Sequence, residues 1–125
     1  MPNTCLIFFR PGKATLETAS KSLEEYGLTV DKAEDHLVAY RPDSPSYIVR
    51  LVKGSHVLEE ATEIGAGTEH AVEMSMCSER FEIEIENLSE ALDEINTLME
   101  VQGALQDASD GYLFLPWNGS LSKPW

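Results

Sequence analysis

Hydrophobic residues recur along the chain first at the spacing of a strand and then at that of a helix. The segment TCLIFFR, residues 4–10, is apolar on both faces, which predicts a central strand that is either covered on both sides or placed at a dimer contact. Helical spacing follows in Leu16, Ala19, Leu23 and Tyr26. Thr15 is a suitable N-cap for this helix, and Gly27 stands where a left-handed C-terminal residue is expected.

The middle of the chain predicts a hairpin followed by a short helix. Residues 36–40 and 47–53 are rich in strand formers, and the RPDSPS between them is rich in turn formers. Val57, Leu58, Ala61 and Ile64 then trace one face of a helix. That helix ends at the flexible GAG of residues 65–67. Residues 71–76 predict either a further short strand or an irregular approach to the next one.

The segment RFEIEIEN, residues 80–87, alternates apolar and acidic side chains with period two. A strand with this pattern points its apolar side chains, Phe81, Ile83 and Ile85, to the core. Its other side carries three carboxylates, Glu82, Glu84 and Glu86. They lie about 6.7 Å apart along one side of the strand. They either bind a partner or only keep an open face or an edge strand in water.

The last third predicts one long helix and a final strand. Asn87 and Glu90 are three residues apart, as in a capping box with Asn at the cap. The apolar face that follows consists of Leu88, Leu92, Ile95, Leu98, Met99, Gln102 and Leu105. A continuous helix to about Ala108 would be roughly 30 Å long. Residues 112–115 predict the last strand, and residues 117–119 a tight turn.

This order of elements predicts a single α+β domain over residues 1–125. With the short helix set aside, we interpret it as the βαββαβ pattern of a ferredoxin-like sheet, with that helix inserted after the third strand. Both main helices are expected on one side of the sheet. The second face would then be free for solvent, a dimer partner or a ligand.

Charge is distributed unevenly between the two halves of the 125-residue chain. Residues 1–53 hold seven basic and seven acidic residues, whereas residues 54–125 hold the other 15 of the 22 acidic residues and only two of the nine basic ones. The whole excess, a net charge of −13, therefore belongs to the C-terminal half. Such a one-sided charge attracts a cationic partner and disfavours nucleic acid and anionic membranes.

Several features exclude other classes of protein. No apolar run approaches the roughly 20 residues of a membrane-spanning helix, and no secretory signal is recognisable, so we expect a cytoplasmic protein. Cys5 and Cys77 are too few for a disulfide framework and are expected to be free, buried thiols. Pairings of His70 with Cys77, or of Asp35 with His36, are weak signals for catalysis.

The segment HVLEEATE offers a candidate metal site. On a helix, His56, Glu59, Glu60 and Glu63 share part of one face, although further ligands would have to come from other helices. The same pattern is typical of a solvated helix face, which we favour because no E-x-x-H pair recurs. We therefore expect no metal, no cofactor and no catalytic residue. Glu59 and Glu63 are instead assigned to a partner-binding surface together with Glu82, Glu84 and Glu86.

Two tryptophans near the C-terminus are candidate anchors for a partner. Trp117 either covers the end of the last strand or contacts a second protein. Trp125, the final residue, has little chain around it with which to build a pocket, so disorder and contact with a second protein are both open. Both are included in the predicted binding surface because tryptophan is enriched at interface hot spots.

The segment RFEIEIENLSEALDEINTLMEVQGALQ, residues 80–106, and GYLFLPWNG, residues 111–119, resemble the C-terminal part of small bacterial proteins. The size and acidity are similar to those of immunity proteins of bacterial toxin systems. The resemblance implies a cytoplasmic protein that neutralises a toxin by binding it, without a reaction of its own. No catalytic residue follows from it.

Three hypotheses thus stand after the sequence. The leading one is a non-enzymatic acidic protein that binds a basic protein, such as a toxin domain. The second is a dimeric ferredoxin-like domain that binds a small ligand or has a regulatory role, with two sheets packed by their open faces. The third is a metal-dependent enzyme that uses His56 and the nearby carboxylates.

Overall fold

The structure, a computed structural model, describes residues 3–42 and 44–123. Within these residues it is an α+β fold with seven strands and five helices. The strands are β1 (Asn3–Phe9), β2 (Thr29–Lys32), β3 (Leu37–Tyr40), β4 (Tyr47–Lys53), β5 (Glu79–Ile85), β6 (Tyr112–Leu115) and β7 (Ser120–Ser122). The helices are α1 (Leu16–Glu25), α2 (Ser55–Gly65), α3 (Ala71–Met74), α4 (Leu88–Asp93) and α5 (Ile95–Ser109).

All seven strands form one antiparallel sheet in the order β2-β3-β4-β5-β1-β6-β7. The α+β class was predicted, but the four-stranded ferredoxin-like pattern is not matched in detail, because the sheet has seven strands. Five strands were predicted individually, one more than that pattern holds, and all five are present, whereas the edge strands β2 and β7 were not predicted. Each is four residues or shorter and mostly exposed, so neither has an apolar alternation that would mark a strand.

The main core lies between one face of the sheet and helices α1, α4 and α5. The odd-numbered residues of β5 and β1, including Ile83 and Ile7, meet Leu23 of α1 and Leu105 of α5 there. Tyr47, Phe9 and Phe81 are the largest fully buried side chains of this core, and the rings of Phe9 and Phe81 lie 4.9 Å apart. The apolar residues that recur at period two in the strands and those at helical spacing in α1 therefore both face the main core.

The second face of the sheet is partly covered, contrary to the prediction that it is free. Helices α2 and α3 pack on it through Val57, Ala61 and Met74, which enclose Phe8 of β1 and Cys77. The inserted helix therefore follows the fourth strand, since β2 precedes the predicted hairpin, and a second helix follows it. Residues 71–74 are helical, so the strand considered for residues 71–76 was wrong.

Helix α1 begins and ends where the sequence predicts. Thr15 Oγ1 accepts a hydrogen bond from the Thr18 N–H at 3.1 Å, and Thr18 Oγ1 accepts one from the Thr15 N–H at 2.9 Å. This reciprocal pair satisfies two amides that the helix cannot pair internally. Gly27 follows the helix with φ of 87°, the left-handed conformation that favours glycine.

The predicted long helix is two helices. Asn87 caps α4 as expected, accepting a hydrogen bond from the Glu90 N–H at 3.1 Å. Glu94, however, has φ of −105° and ψ of 48°, which interrupts the helix between α4 and α5. The predicted apolar face therefore does not belong to one continuous helix. Three residues predicted to be buried are exposed instead, namely Leu92, Ile95 and Met99.

Candidate protein-binding surface

Strand β5 lies near the middle of the sheet, between β4 and β1. Phe81, Ile83 and Ile85 are fully buried in the main core, as their alternation predicts. Glu82 and Glu84 point to the opposite face, where both are half-buried. Glu86 lies one residue beyond the end of β5 and is exposed. The two glutamates inside the strand therefore sit on the same side of the sheet as α2.

Arg80 connects these two elements. Its Nη1 lies 2.5 Å from Glu60 Oε2 on α2, and its Nη2 lies 2.7 Å from Glu82 Oε2 on the same strand. The guanidinium carbon is 5.6 Å from the centroid of the Phe8 ring, a cation–π distance. Arg80 is only 8% exposed, so these contacts replace most of its hydration.

A second arginine pairs with Glu84. Arg50 Nη1 on β4 donates to Glu84 Oε2 at 2.9 Å. The sequence did not predict this pair, although the alternation of Ile48, Arg50 and Val52 along β4 could have placed Arg50 on the face of the acidic strand. Two of the three glutamates in the RFEIEIEN segment are thus ion-paired within the chain, which reduces the charge they offer to a partner.

Helix α2 carries the remaining acidic groups of this face. It buries Val57 and Ala61 and leaves Glu59 and Glu63 exposed on its outer side. We call Glu59, Glu60, Glu63, Glu82 and Glu84 the acidic surface. Arg50 and Arg80 compensate for two of these five carboxylates. Glu59 and Glu63 make no salt bridge within residues 3–42 and 44–123.

The predicted tryptophan anchors do not join the acidic surface. Trp117 is half-buried in the turn between β6 and β7 and packs on the main core, on the other side of the sheet. Trp125 lies outside the described residues. The structure thus separates Trp117 from Glu59, Glu63, Glu82 and Glu84, so these groups cannot contact one flat partner surface together.

Two apolar residues beside the acidic surface, Val38 and Ile48, were not anticipated there from the sequence, and we call them the apolar row. Val38 pairs with Ile48, Ile48 with Glu84, and Glu84 with Thr4, so the four side chains line up across four strands. All four are half-buried. Val38 and Ile48 therefore offer apolar area next to a carboxylate held by Arg50.

The predicted metal face does not assemble with other ligands. His56, Glu59 and Glu63 are all exposed on α2. In the part of the chain that the structure describes, no group of three or more histidine, cysteine, aspartate or glutamate side chains is arranged to hold a metal ion. No geometric observation therefore favours a metal-dependent reaction at His56.

The weaker catalytic pairs are also placed by the structure. Cys77 is buried, and burial raises the pKa of its thiol to about 11, which keeps it protonated and unreactive near neutral pH. The His70 ring lies 5.0 Å from the Tyr112 ring. His36 Nδ1 and Asp35 Oδ1 are 2.7 Å apart at an exposed site, and this hydrogen bond lowers the pKa of the Asp35 carboxyl. None of these groups forms a nucleophile–base pair.

Helices long and apolar enough to cross a lipid bilayer are absent from the described stretches, 3–42 and 44–123. The fold is an α+β fold, and the sheet face that carries α2 holds a group of carboxylates, some of which are paired with arginines. No protein-family profile, curated protein or solved structure matches the chain.

Proposed function

We propose that this chain is a non-enzymatic, cytoplasmic binding protein whose acidic surface docks onto a basic protein. A toxin domain is the partner implied by the resemblance of residues 80–119 to immunity proteins. The observation that carries the proposal is the state of Glu59 and Glu63, which are exposed without a salt bridge among the described residues. Charged side chains in this state accelerate encounter with a cationic partner.

The arginine-paired carboxylates support the same proposal in a different way. A carboxylate has two oxygens and can accept several hydrogen bonds, so Glu60, Glu82 and Glu84 keep acceptor capacity after pairing with arginine. Their side chains are already ordered by these pairs. A partner therefore loses less conformational entropy on binding them than on binding free glutamates.

The neighbouring apolar row supplies the second component of an interface. Val38 and Ile48 are half-buried and lie next to Glu84 on the sheet. Stable interfaces combine an apolar centre with a polar rim, and charge alone mainly changes the association rate. We therefore place the contact across α2 and the adjacent half of the second sheet face.

The experiment uses the product of the gene immediately upstream as the candidate partner. Association is measured by biolayer interferometry from about 50 mM to about 500 mM salt, because screening shortens the reach of the field over this range. We expect the association rate to fall steeply with salt. In the variant Glu59→Lys/Glu63→Lys, the rate at low salt should fall about tenfold or more.

The matched control reverses two charges elsewhere. Glu24 and Glu25 of α1 are likewise exposed, but α1 packs on the other face of the sheet. Glu24→Lys/Glu25→Lys makes the same change in net charge and should leave the association rate near that of the wild type. Equal losses in both double variants, a rate indifferent to salt, or no binding by the upstream product would each refute the proposal.

The homodimer remains a second candidate, and the half-covered sheet is the observation that favours it. The row containing Val38 and Ile48 could pack against the same row of a second copy. Light scattering after size exclusion separates the candidates. A tight dimer that Ile48→Lys dissociates would favour the dimer, and a monomer at all concentrations would remove it.

We also infer that the centre of the sheet is an elaborated ferredoxin-like arrangement. Strands β6, β1, β5 and β4 are neighbours in that order, and α1 and α5 share one face. This strand order and the shared helix face support the interpretation. In this ferredoxin-like interpretation, the βαββαβ centre has been extended by strands β2, β3 and β7 and by helices α2 and α3.

A further inference from the structure

A groove runs between α5 and the β6–β7 hairpin, on the opposite side of the sheet from the acidic surface. Its volume is about 530 Å³. Pockets that bind small molecules typically range from about 300 to 1,000 Å³. The groove is lined by Met99, Gln102, Gly103, Gln106, Leu113 and Lys123. Its size thus suits a small molecule.

Hydrogen bonds from α5 hold the walls of the groove in place. Gln106 is 4% exposed, and its Nε2 donates to Gly111 O at 3.1 Å and to Ser122 O of β7 at 3.3 Å. Gln102 is 8% exposed, and its Nε2 lies 3.7 Å from Cys5 Sγ. Because both glutamines are anchored, the helix and the hairpin keep their spacing and the groove is preformed.

Gly103 keeps one wall open at a cost to the helix. Glycine inside a helix is less stable than alanine by about 0.5–1 kcal/mol. A Cβ at this position would lie 3.5 Å from the Tyr26 ring, which is an ordinary contact. Packing against Tyr26 therefore does not require glycine here. Gly103 also lines a second hollow together with Tyr26, and this hollow shares Met99 with the groove.

The chemistry of the lining indicates the ligand. Met99, 54% exposed, and Leu113 provide apolar walls. Lys123 is the charged residue of the lining, and it is one of only two basic residues after residue 53. Two carboxylates of α5 close to the groove already have partners within the chain. Glu100 is paired with Arg41, and Asp107 accepts a hydrogen bond from the Tyr26 hydroxyl. A single cation in a lining that is otherwise uncharged and offers apolar walls complements a molecule with an apolar body and one negative end.

We propose that this groove binds a small amphipathic carboxylate. Its apolar chain or ring contacts Met99 and Leu113, and its carboxylate lies near the Lys123 ammonium group. The site is separate from the acidic surface, so it does not depend on the proposed binding of a basic protein. A ligand here would contact α5 and the hairpin together and would stabilise the folded chain by linkage.

Calorimetric titration with octanoate tests the proposal, and octanamide serves as a neutral probe of nearly the same shape. We expect octanoate to bind the full chain with a single site and to raise its thermal midpoint. Octanamide should bind about three- to tenfold more weakly, because it lacks the charge that pairs with lysine. The absence of octanoate binding up to millimolar concentration would overturn the proposal.

Three variants separate this site from non-specific binding. Lys123→Gln, an exposed change that leaves the fold intact, should reduce octanoate affinity to that of octanamide. Met99→Glu, an exposed change in the lining, should abolish octanoate binding by placing a negative charge in the groove, and Gly103→Ala should retain binding with an unchanged or higher thermal midpoint. Octanoate binding that is equal in the wild type and Lys123→Gln would refute the charge pairing. Octanoate binding unaffected by Met99→Glu in a folded chain would refute the location.

Discussion

The guanidinium group of Arg80 and the carboxylate of Glu60 join strand β5 to helix α2 across 2.5 Å. Arg80 is nearly buried, whereas Glu60 keeps about half of its side chain exposed. Removing the arginine leaves the carboxylates of Glu60 and Glu82 close together without a cation, while removing Glu60 leaves an arginine that still pairs with Glu82. The arginine is therefore the partner on which the stability of this contact depends.

We expect Arg80→Met to lower the free energy of unfolding by about 1–3 kcal/mol. The substitution keeps the apolar stem over Phe8 but removes two charge-assisted hydrogen bonds and leaves Glu60 and Glu82 close together. Urea denaturation followed by tryptophan fluorescence measures the loss. Glu60→Gln should cost less, about 1 kcal/mol or below, because the Arg80–Glu82 pair survives.

Arg50→Met is the matched control for this prediction. The side chain of Arg50 is 44% exposed, and Glu84 is its one salt-bridge partner among residues 3–42 and 44–123. Exposed salt bridges contribute about 0–1 kcal/mol, so the urea midpoint should shift little. A loss as large as that of Arg80→Met would show that burial does not decide the strength of these pairs.

Gly111→Ala should destabilise the fold by about 1–3 kcal/mol through overpacking. A Cβ at Gly111 would lie 2.5 Å from Ile7 Cγ2 and 2.9 Å from the Phe8 carbonyl oxygen, so strand β1 would have to move. Gly103→Ala in α5 should do the opposite and raise the free energy of unfolding by about 0.5–1 kcal/mol. Thermal unfolding of both variants shows whether the midpoint falls for Gly111→Ala and rises for Gly103→Ala. The prediction fails if Gly111→Ala is neutral.

Asn87→Ala should cost about 1 kcal/mol, because the Glu90 N–H then loses the acceptor that caps α4. Asn96 of α5 is exposed and is the control, since Asn96→Ala removes no cap and replaces asparagine by a better helix former. Urea midpoints of the two variants are compared. Equal losses would show that the cap hydrogen bond makes no contribution.

Alkaline pH should weaken the fold through its buried thiols and a buried phenol. Burial raises the pKa of Cys5 to about 12, that of Cys77 to about 11 and that of Tyr47 to about 12. The folded state favours the neutral forms, whereas the unfolded chain ionises its thiols near pH 9. The free energy of unfolding should therefore be fully retained below about pH 9 and fall as the pH rises toward 12.

Reaction with a thiol reagent gives an independent measurement. At pH 8 both cysteines should react slowly in the native chain and fast in urea. Cys77→Ala should remove part of the loss of stability between pH 9 and 11. Native thiols that react as fast as unfolded ones would contradict the burial of these side chains.

Periodicity in the sequence is informative where one face of an element is buried. It predicted the core positions of β5, the ends of α1 with Thr15 and Gly27, and the strand pair β3 and β4. Each of these elements alternates or recurs against a single core, so pattern and burial coincide. The two cysteines, expected to be free and buried because they are too few for a disulfide framework, are both free and buried.

Tertiary contacts decided the features that periodicity missed. The break at Glu94 left Leu92 and Met99 exposed although their spacing continues that of a buried helix face. The pairing of Arg80 with Glu60 joins residues 20 positions apart and depends on how α2 crosses the sheet. Charge along the chain predicted a negative protein, but only the packing determined which carboxylates are paired.

The two edge strands of the sheet limit backbone pairing between copies of this chain. Strands β2 and β7 form the edges with only four and three residues, and Asp31 and Lys32 stand exposed along β2. Short, charged edges are poor templates for continued backbone pairing. The apolar strands in the interior, such as β1, are shielded behind them. Concentrated solutions of the folded chain should therefore resist growth into fibrils.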